Sequence, residues 1–178
     1  MNETAILDKR FRELITEEMI SKRISELAMQ INNDFKGQEV AFVGILNGAF
    51  LFAADLFRRI TLDARITFVK LASYEGTRSS GSVKELIGWN EDVSGMDIIV
   101  IEDIVDTGNT LEMIVGELKV RKVKSVRIAT LLYKPEAYKK KIKLDYVGFE
   151  IPNDFVVGFG LDYDGYGRNL PAVYTLIK

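Results

Sequence analysis

One stretch limits the fold of this chain more than any other, residues 98–111, with the sequence Ile-Ile-Val-Ile-Glu-Asp-Ile-Val-Asp-Thr-Gly-Asn-Thr-Leu. Four apolar residues run directly into Glu102 and Asp103, and a third carboxylate, Asp106, follows in a turn of small residues. A continuous apolar run predicts a strand buried on both faces, which is typical of parallel sheets. Ligands of open α/β sheets bind at the carboxyl ends of such strands. The stretch therefore predicts an α/β fold with a functional site just after residue 101.

The turn that follows this strand has the composition of an anion site. Residues 107–110 offer backbone N–H groups and two hydroxyls, and a helix that begins near Thr110 adds the positive end of its dipole. No Lys-Ser/Thr pair follows the glycine, so the turn is not a Walker loop, and one glycine is too few for a dinucleotide-binding fingerprint. Acidic residues before a glycine turn also occur in α/β proteins that bind nothing there, so the rest of the chain must decide.

The composition limits the chemistry available to such a site. The 178 residues, 47% of them hydrophobic and only 3 of them Pro, suit one well-buried domain. The chain has no Cys and no His, so thiol chemistry and soft zinc sites are not expected, whereas Mg²⁺ held by oxygen atoms is compatible. A net charge of −2 gives no sign of nucleic-acid binding. We expect a cytoplasmic protein without a membrane span, because neither a signal peptide nor a long apolar run is visible.

Hydrophobic periodicity predicts helices that alternate with strands. Thr16 is the predicted N-cap of an amphipathic helix over residues 17–33. Further helices are predicted over 49–60 and 111–120, and strands over 40–46, 65–71, 83–87, 98–101, 125–132 and 172–177. This alternation is typical of a mostly parallel twisted sheet flanked by helices.

We predict a single domain over residues 1–178, with a core at about 36–150. A small hood over the crevice would come from about 1–15 and 151–178. In its first part, a short strand at Ile6 and Leu7 is expected to pack on Phe11 and Leu14.

Three further segments are predicted to border the same crevice. Leu46, Asn47 and Gly48 form a turn after the strand over 40–46, which taken alone is an ordinary strand-to-helix connection. Lys134 follows the strand over 125–132, where a solvated lysine is the simple alternative. Ser73 and Tyr74 open a polar run that is either a hairpin tip or a lid that closes over the reaction.

Together these motifs resemble the type I phosphoribosyltransferases. The apolar strand, Glu-Asp, two apolar residues, Asp-Thr-Gly, one variable residue and Thr are similar to that family's phosphoribosyl-diphosphate (PRPP) loop. Val-Gly-Phe-Glu-Ile-Pro at 147–152, Phe-Val-Val-Gly at 155–158 and Leu-Asp-Tyr at 161–163 resemble the hypoxanthine-guanine branch more specifically. The resemblance runs from about Val40 to the C-terminus. It implies transfer of a phosphoribosyl group from PRPP to N9 of hypoxanthine or guanine, with Mg²⁺, giving IMP or GMP and diphosphate.

The resemblance implies roles for the residues around PRPP. Glu102 and Asp103 would hold the ribose hydroxyls and, through them, a Mg²⁺, and Asp162 would ligate a second Mg²⁺. Asp106 would take the proton from purine N7. The 5′-phosphate would lie in a cradle made by Thr107, Gly108, Asn109 and Thr110. The diphosphate would contact Arg168 and the main-chain N–H groups of Leu46, Asn47 and Gly48, with the peptide bond before Asn47 in the cis form.

For the purine, the resemblance implies that Lys134 donates to O6, that Phe155 stacks on the ring and that Val156 and Asp162 read the far edge. Three of these assignments have a simpler alternative. In it, Phe155 belongs to the core, Arg168 forms a surface ion pair and Asp162 is a turn residue. Asn47 departs from the family pattern, because look-alikes commonly carry a basic residue there.

Two other functions stay open at the level of sequence. One is an enzyme that prefers xanthine or guanine, and the other is a nucleotide-sensing regulator that binds DNA or RNA on the same fold. Asp106 favours catalysis, and 178 residues leave no space for an added DNA-binding domain. We expect PRPP and a purine base as partners, no nucleic acid, and a homodimer or homotetramer.

Overall fold

The structure, a computed structural model, describes residues 2–71, 85–87 and 91–177. Along the chain, the elements are β1 (Glu3–Ile6), β2 (Lys9–Ile15), α1 (Glu17–Asp34), β3 (Val40–Leu46), α2 (Phe50–Phe57), β4 (Ala64–Leu71), β5 (Glu85–Ile87), β6 (Asp97–Val105), α3 (Asn109–Val120), β7 (Ser125–Tyr133), β8 (Tyr146–Glu150), β9 (Val156–Val157) and β10 (Val173–Leu176).

The larger sheet has six strands in the spatial order β5-β4-β3-β6-β7-β8. Five of them run parallel, and β5 pairs antiparallel with β4. The chain passes from β3 outward to β4 and then returns to the other side of β3 with β6, so the strand order reverses between β3 and β6. Such a reversal opens a crevice at the carboxyl ends of the two strands. The predicted mostly parallel α/β sheet is confirmed.

Helices cover both faces of this sheet, which explains the continuous apolar runs in its central strands. Phe42 of β3 and Ile99 of β6 pack with α1 and α2 in one core cluster. Val43 and Ile98, which point to the opposite face, pack with α3 in a second cluster. The N-cap of α1 is as predicted, because the Thr16 Oγ1 accepts a hydrogen bond of 3.2 Å from the Met19 N–H.

A second, antiparallel sheet joins the two ends of the chain in the order β1-β2-β10-β9. Phe11 is fully buried in its core, as predicted. Leu14 is 38% exposed, and its predicted packing is wrong because it lies an odd number of residues from Phe11 and points to the other face of β2. Leu7 is in a turn with φ of 52° rather than in the strand. The boundaries of core and hood stay a prediction.

The other bounds differ from the prediction by a few residues. Helix α2 ends at Phe57 rather than at residue 60, and α3 already begins at Asn109. Within the described ranges, no helix has both the length and the apolar character that crossing a bilayer requires.

Candidate active site

The turns that follow β3 and β6 lie side by side where the strand order reverses. A Cβ atom on Gly48 would overlap the carboxylate of Asp103, so a larger residue here would push that carboxylate away. Asn47 is exposed, and the peptide bond between Leu46 and Asn47 is cis. The fold thus brings the predicted diphosphate turn against one of the two carboxylates predicted to hold the ribose.

Glu102 and Asp103 form a carboxyl pair with little access to water. Glu102 is only 7% exposed, and its Oε2 has no hydrogen-bond partner. Burial raises the pKa of Glu102 well above its ordinary range, and the neighbouring Asp103 carboxyl raises it further. Burial also raises the pKa of Asp103, against the opposing effects of hydrogen bonds and of the Arg168 charge. The buried oxygen of Glu102 is therefore available to a positively charged or hydroxyl-bearing ligand.

This donor set fits Mg²⁺. Magnesium prefers oxygen ligands and is usually held by one or two carboxylates together with waters and substrate phosphates. Glu102 and Asp103 supply such a pair, and a cation beside them would favour their charged forms. Among the described residues, no group of three or more acidic side chains converges on one point, so Asp162 does not join this pair in a single cluster. Its assignment to a second Mg²⁺ stays a prediction.

The end of β6, the loop that follows it and the start of α3 line an open pocket of about 70 Å³. Gly108 is the N-cap of α3 with φ of 84°, a left-handed conformation that favours glycine. The helix begins at Asn109, and the first N–H groups of a helix have no partner within it, so they can donate to a bound anion. All four predicted phosphate residues line this pocket: Thr107, Gly108, Asn109 and Thr110.

Asp106 and Lys134 are brought together by neighbouring strands. Asp106 lies just beyond the end of β6, Lys134 lies just beyond the end of β7, and the Lys134 Nζ is 3.4 Å from the Asp106 Oδ2. The backbone N–H of Lys134 donates to the carbonyl of Val105, which holds the two strand ends in register. Only 10% of the Lys134 side chain is exposed, against 46% for Asp106. Lys134 is therefore not a solvated surface lysine.

The loop that leads into β10 lies over the β3 turn. A Cβ atom on Gly160 would overlap the carbonyl oxygen of Gly48, so the two backbones are in close contact. Arg168 donates to the carbonyl of Gly160 at 2.7 Å and forms an ion pair of 2.7 Å with Asp162. Asp162 also accepts from the Gly165 N–H at 2.7 Å. Arg168 and Asp162 are thus paired with each other in this structure, above the predicted diphosphate turn.

The predicted purine residues differ in burial. Phe155 is 44% exposed, so it is not part of the core, and its ring lies 6.0 Å from the ring of Tyr163 in an edge-to-face arrangement. Val156 is buried and pairs with Thr175 in the hood sheet. The predicted lid residues Ser73 and Tyr74 lie outside the described residues.

Two residues behind the phosphate pocket were not expected from the sequence. Tyr138 and Lys140, in the connection from β7 to β8, pack against Gly108. Their only sequence signal is the lysine-rich run that follows Pro135, and such runs are usually solvated.

Comparison with known proteins finds relatives over most of the chain. The phosphoribosyl transferase domain family matches residues 13–164. The hypoxanthine-guanine phosphoribosyltransferase of Mycobacterium tuberculosis is 43% identical over 170 residues, covering 92% of this chain and 84% of that protein. The bifunctional protein TilS/HprT of Listeria monocytogenes is 44% identical over 164 residues, which cover 92% of this chain. The chain spans only 25% of the length of that bifunctional protein.

Solved structures show the same fold. The crystal structure of a hypoxanthine-guanine phosphoribosyltransferase from Bacillus anthracis has a TM-score of 0.87 at 40% identity, covering 94% of this chain and 97% of that one. Because both the family match and these identities extend over most of the chain, the protein belongs to the hypoxanthine-guanine phosphoribosyltransferase family.

Proposed function

We propose that this protein transfers the 5-phosphoribosyl group of PRPP to N9 of a 6-oxopurine and releases diphosphate. The observation that supports this best is the pair of Asp106 and Lys134, whose side chains lie 3.4 Å apart at the ends of adjacent strands. A carboxylate accepts hydrogen bonds, and an ammonium donates them. On a 6-oxopurine, N7 and O6 lie on one edge. A base with a proton on N7 would therefore present its N–H to Asp106 and its O6 to Lys134.

In the reaction, a bond forms between purine N9 and C1′ of the ribose, and the bond from C1′ to the diphosphate oxygen breaks. The diphosphate leaves with the electron pair, and the N7 proton moves to the Asp106 carboxylate. When bound, Mg²⁺ would neutralise and orient the diphosphate. Glu102 and Asp103 would hold that ion and the ribose hydroxyls, and the N-terminus of α3 would hold the 5′-phosphate.

The hood would complete the site from above. Phe155 is exposed enough to stack on the purine ring, a contact that needs no particular base edge. The diphosphate would contact Arg168 and the turn at Leu46, Asn47 and Gly48. Arg168 lies near this turn, because its guanidinium donates to the carbonyl of Gly160, which packs on Gly48. Val156 and Asp162 would face the far edge of the base.

Adenine is the expected poor substrate. It carries an amino donor where a 6-oxopurine carries O6, so the ammonium of Lys134 would meet another donor. An unsatisfied buried donor costs about 1–3 kcal/mol, which corresponds to roughly 5- to 150-fold in specificity.

The test compares kcat/KM for hypoxanthine, guanine, xanthine and adenine with PRPP and Mg²⁺. We expect hypoxanthine and guanine to be used and adenine to be rejected. Lys134→Ala should raise the KM for the purine far more than the KM for PRPP, while Lys36→Ala, at an exposed lysine at the amino edge of the sheet, should change neither. Efficient use of adenine by the wild-type enzyme, or equal losses for both substrates in Lys134→Ala, would contradict the proposal.

The family also suggests a homodimer or homotetramer and a cytoplasmic location for this chain. Sedimentation equilibrium of the purified protein measures the oligomeric state, and a monomer at micromolar concentration would contradict the expected dimer or tetramer.

A further inference from the structure

The connection from β7 to β8 supports the phosphate pocket from behind. A Cβ atom on Gly108 would lie 2.5 Å from the Tyr138 ring and 2.8 Å from Cγ of Lys140, so these side chains pack directly on the loop backbone. The backbone N–H of Lys139 donates to the Thr107 carbonyl at 3.4 Å, and the Tyr138 hydroxyl donates to the Ile142 carbonyl at 2.6 Å. The phosphate loop is thus in contact with a second, folded loop that itself lines no part of the pocket.

This contact also brings two opposite charges together at the start of α3. Glu112 is in the first turn of that helix, and its backbone N–H donates to the Gly108 carbonyl at 3.0 Å. A carboxylate here stabilises the helix, but it competes with a bound anion for the same positive dipole end. The Lys140 Nζ lies 2.6 Å from the Glu112 Oε2, and 24% of the Lys140 side chain is exposed.

We infer that Lys140 is a positioning residue for the phosphate subsite. Its apolar stem packs behind Gly108, and its ammonium neutralises Glu112, so the N-terminus of α3 keeps its full attraction for a dianion. The ligand is a phosphate monoester, the 5′-phosphate shared by PRPP and the product nucleotide. This inference rests on the proposed function, because it concerns one group of that substrate.

Four variants separate this role from general stability and from net charge. Lys140→Met keeps an unbranched apolar stem and removes the ammonium, and Glu112→Gln removes the opposing carboxylate. The third variant combines both changes. Lys141→Met changes the net charge equally at an exposed lysine of the same connection. Each variant is first compared with the wild type by circular dichroism and thermal melting.

We expect Lys140→Met to raise the KM for PRPP and the Kd for inosine 5′-monophosphate by about 2- to 5-fold, the range of a helix-end charge. The kcat and the KM for hypoxanthine should stay unchanged. Adding Glu112→Gln should restore binding close to the wild-type value, and the effect of Lys140→Met should shrink in high salt. Lys141→Met should bind both ligands as the wild type does.

Equal weakening by Lys141→Met, or no recovery in the double variant, would overturn the role of Lys140. The wild-type assay keeps this failure apart from failure of the proposed function. If the wild type converts hypoxanthine and all four variants share its KM for PRPP, only the role of Lys140 is wrong. If the wild type is inactive, the proposed function fails, and titration with ribose 5-phosphate still decides whether Lys140→Met weakens phosphate binding.

Discussion

The two ends of strand β6 carry carboxyl groups that have the same solvent exposure but opposite pKa shifts. Asp97, at the amino end, and Glu102, near the carboxyl end, are each 7% exposed. Asp97 accepts hydrogen bonds from Lys124 at 2.6 Å and from Ser125 at 2.5 Å. Burial alone would raise the pKa of Asp97, but these two donors and the Lys124 charge lower it overall. Glu102 has an oxygen without any partner, and its pKa is raised.

The difference shows that low solvent exposure alone does not decide whether the pKa of a carboxyl is raised or lowered; its depth of burial and its partners decide together. At the amino end, the fold supplies a cation and a hydroxyl, so the charge of Asp97 contributes to stability. At the carboxyl end, the fold supplies a second carboxyl instead, so the charged form of Glu102 is destabilised until a ligand binds. Buried titratable groups with strongly shifted pKa values are typical of functional sites.

The largest effect is expected at the carboxyl end, from Asp106→Asn. The amide cannot accept the N7 proton as a base, so kcat should fall by about 10²–10⁴-fold while the protein stays folded. Steady-state kinetics with hypoxanthine and PRPP measure this, with Asp63→Asn as an exposed control at the amino edge. A kcat within a few fold of the wild type would show that Asp106 is not the base.

At the amino end of β6, a substitution of Asp97 should change the stability of the protein and not its activity. Asp97→Asn removes a charge that is hydrogen-bonded to Lys124 and Ser125. Hydrogen bonds to charged groups contribute about 1.5–3 kcal/mol, so the free energy of unfolding should fall by that amount. Urea unfolding at neutral pH measures the change. A loss of kcat in the folded variant would contradict the separation of the two ends.

The same variant predicts a pH dependence with a definite sign. Because the pKa of Asp97 is lowered from 3.8 in the folded state, the stabilisation is fully present above 3.8 and is lost as the pH falls through the lower folded value. The difference in Tm between the wild type and Asp97→Asn should be constant down to about pH 3.8 and should then narrow as the pH falls further. Thermal melts in matched buffers follow it, and a gap that widens in acid would reverse the assignment.

The smallest expected effect is a gain in stability at Glu102, opposite in sign to the loss expected for Asp97→Asn. Glu102→Gln replaces a buried carboxyl, one oxygen of which has no hydrogen-bond partner, with a neutral amide that can donate to Asp103, so the ligand-free protein should gain roughly 1 kcal/mol in stability. Activity should fall, because the ribose and Mg²⁺ lose a charged ligand. Urea unfolding without ligands, compared with the Asp97→Asn result, tests the sign. A loss of stability would mean that Glu102 is satisfied in the native state.

Features that depend on neighbouring residues were predictable from the sequence. The apolar run before Glu102 indicated a strand buried on both faces, and Thr16 indicated the start of α1, because burial pattern and capping are local properties. The residues around the PRPP loop also follow one another along the chain, so their common pocket was visible as a motif.

Tertiary structure alone decided which distant groups meet. Lys134 is 28 positions from Asp106, and only the parallel pairing of β6 with β7 brings the two side chains to 3.4 Å. The contact of Gly160 with Gly48 and the support of Gly108 by Tyr138 likewise join segments that are far apart in the sequence. Strand β2 was missed because only Phe11 and Ile15 of its seven residues are buried, which gives a weak apolar pattern. Its pairing with β1 is local, but its other neighbour β10 lies at the far end of the chain. Periodicity reports which face of an element is buried, but the free energy that selects its partner comes from packing the whole core.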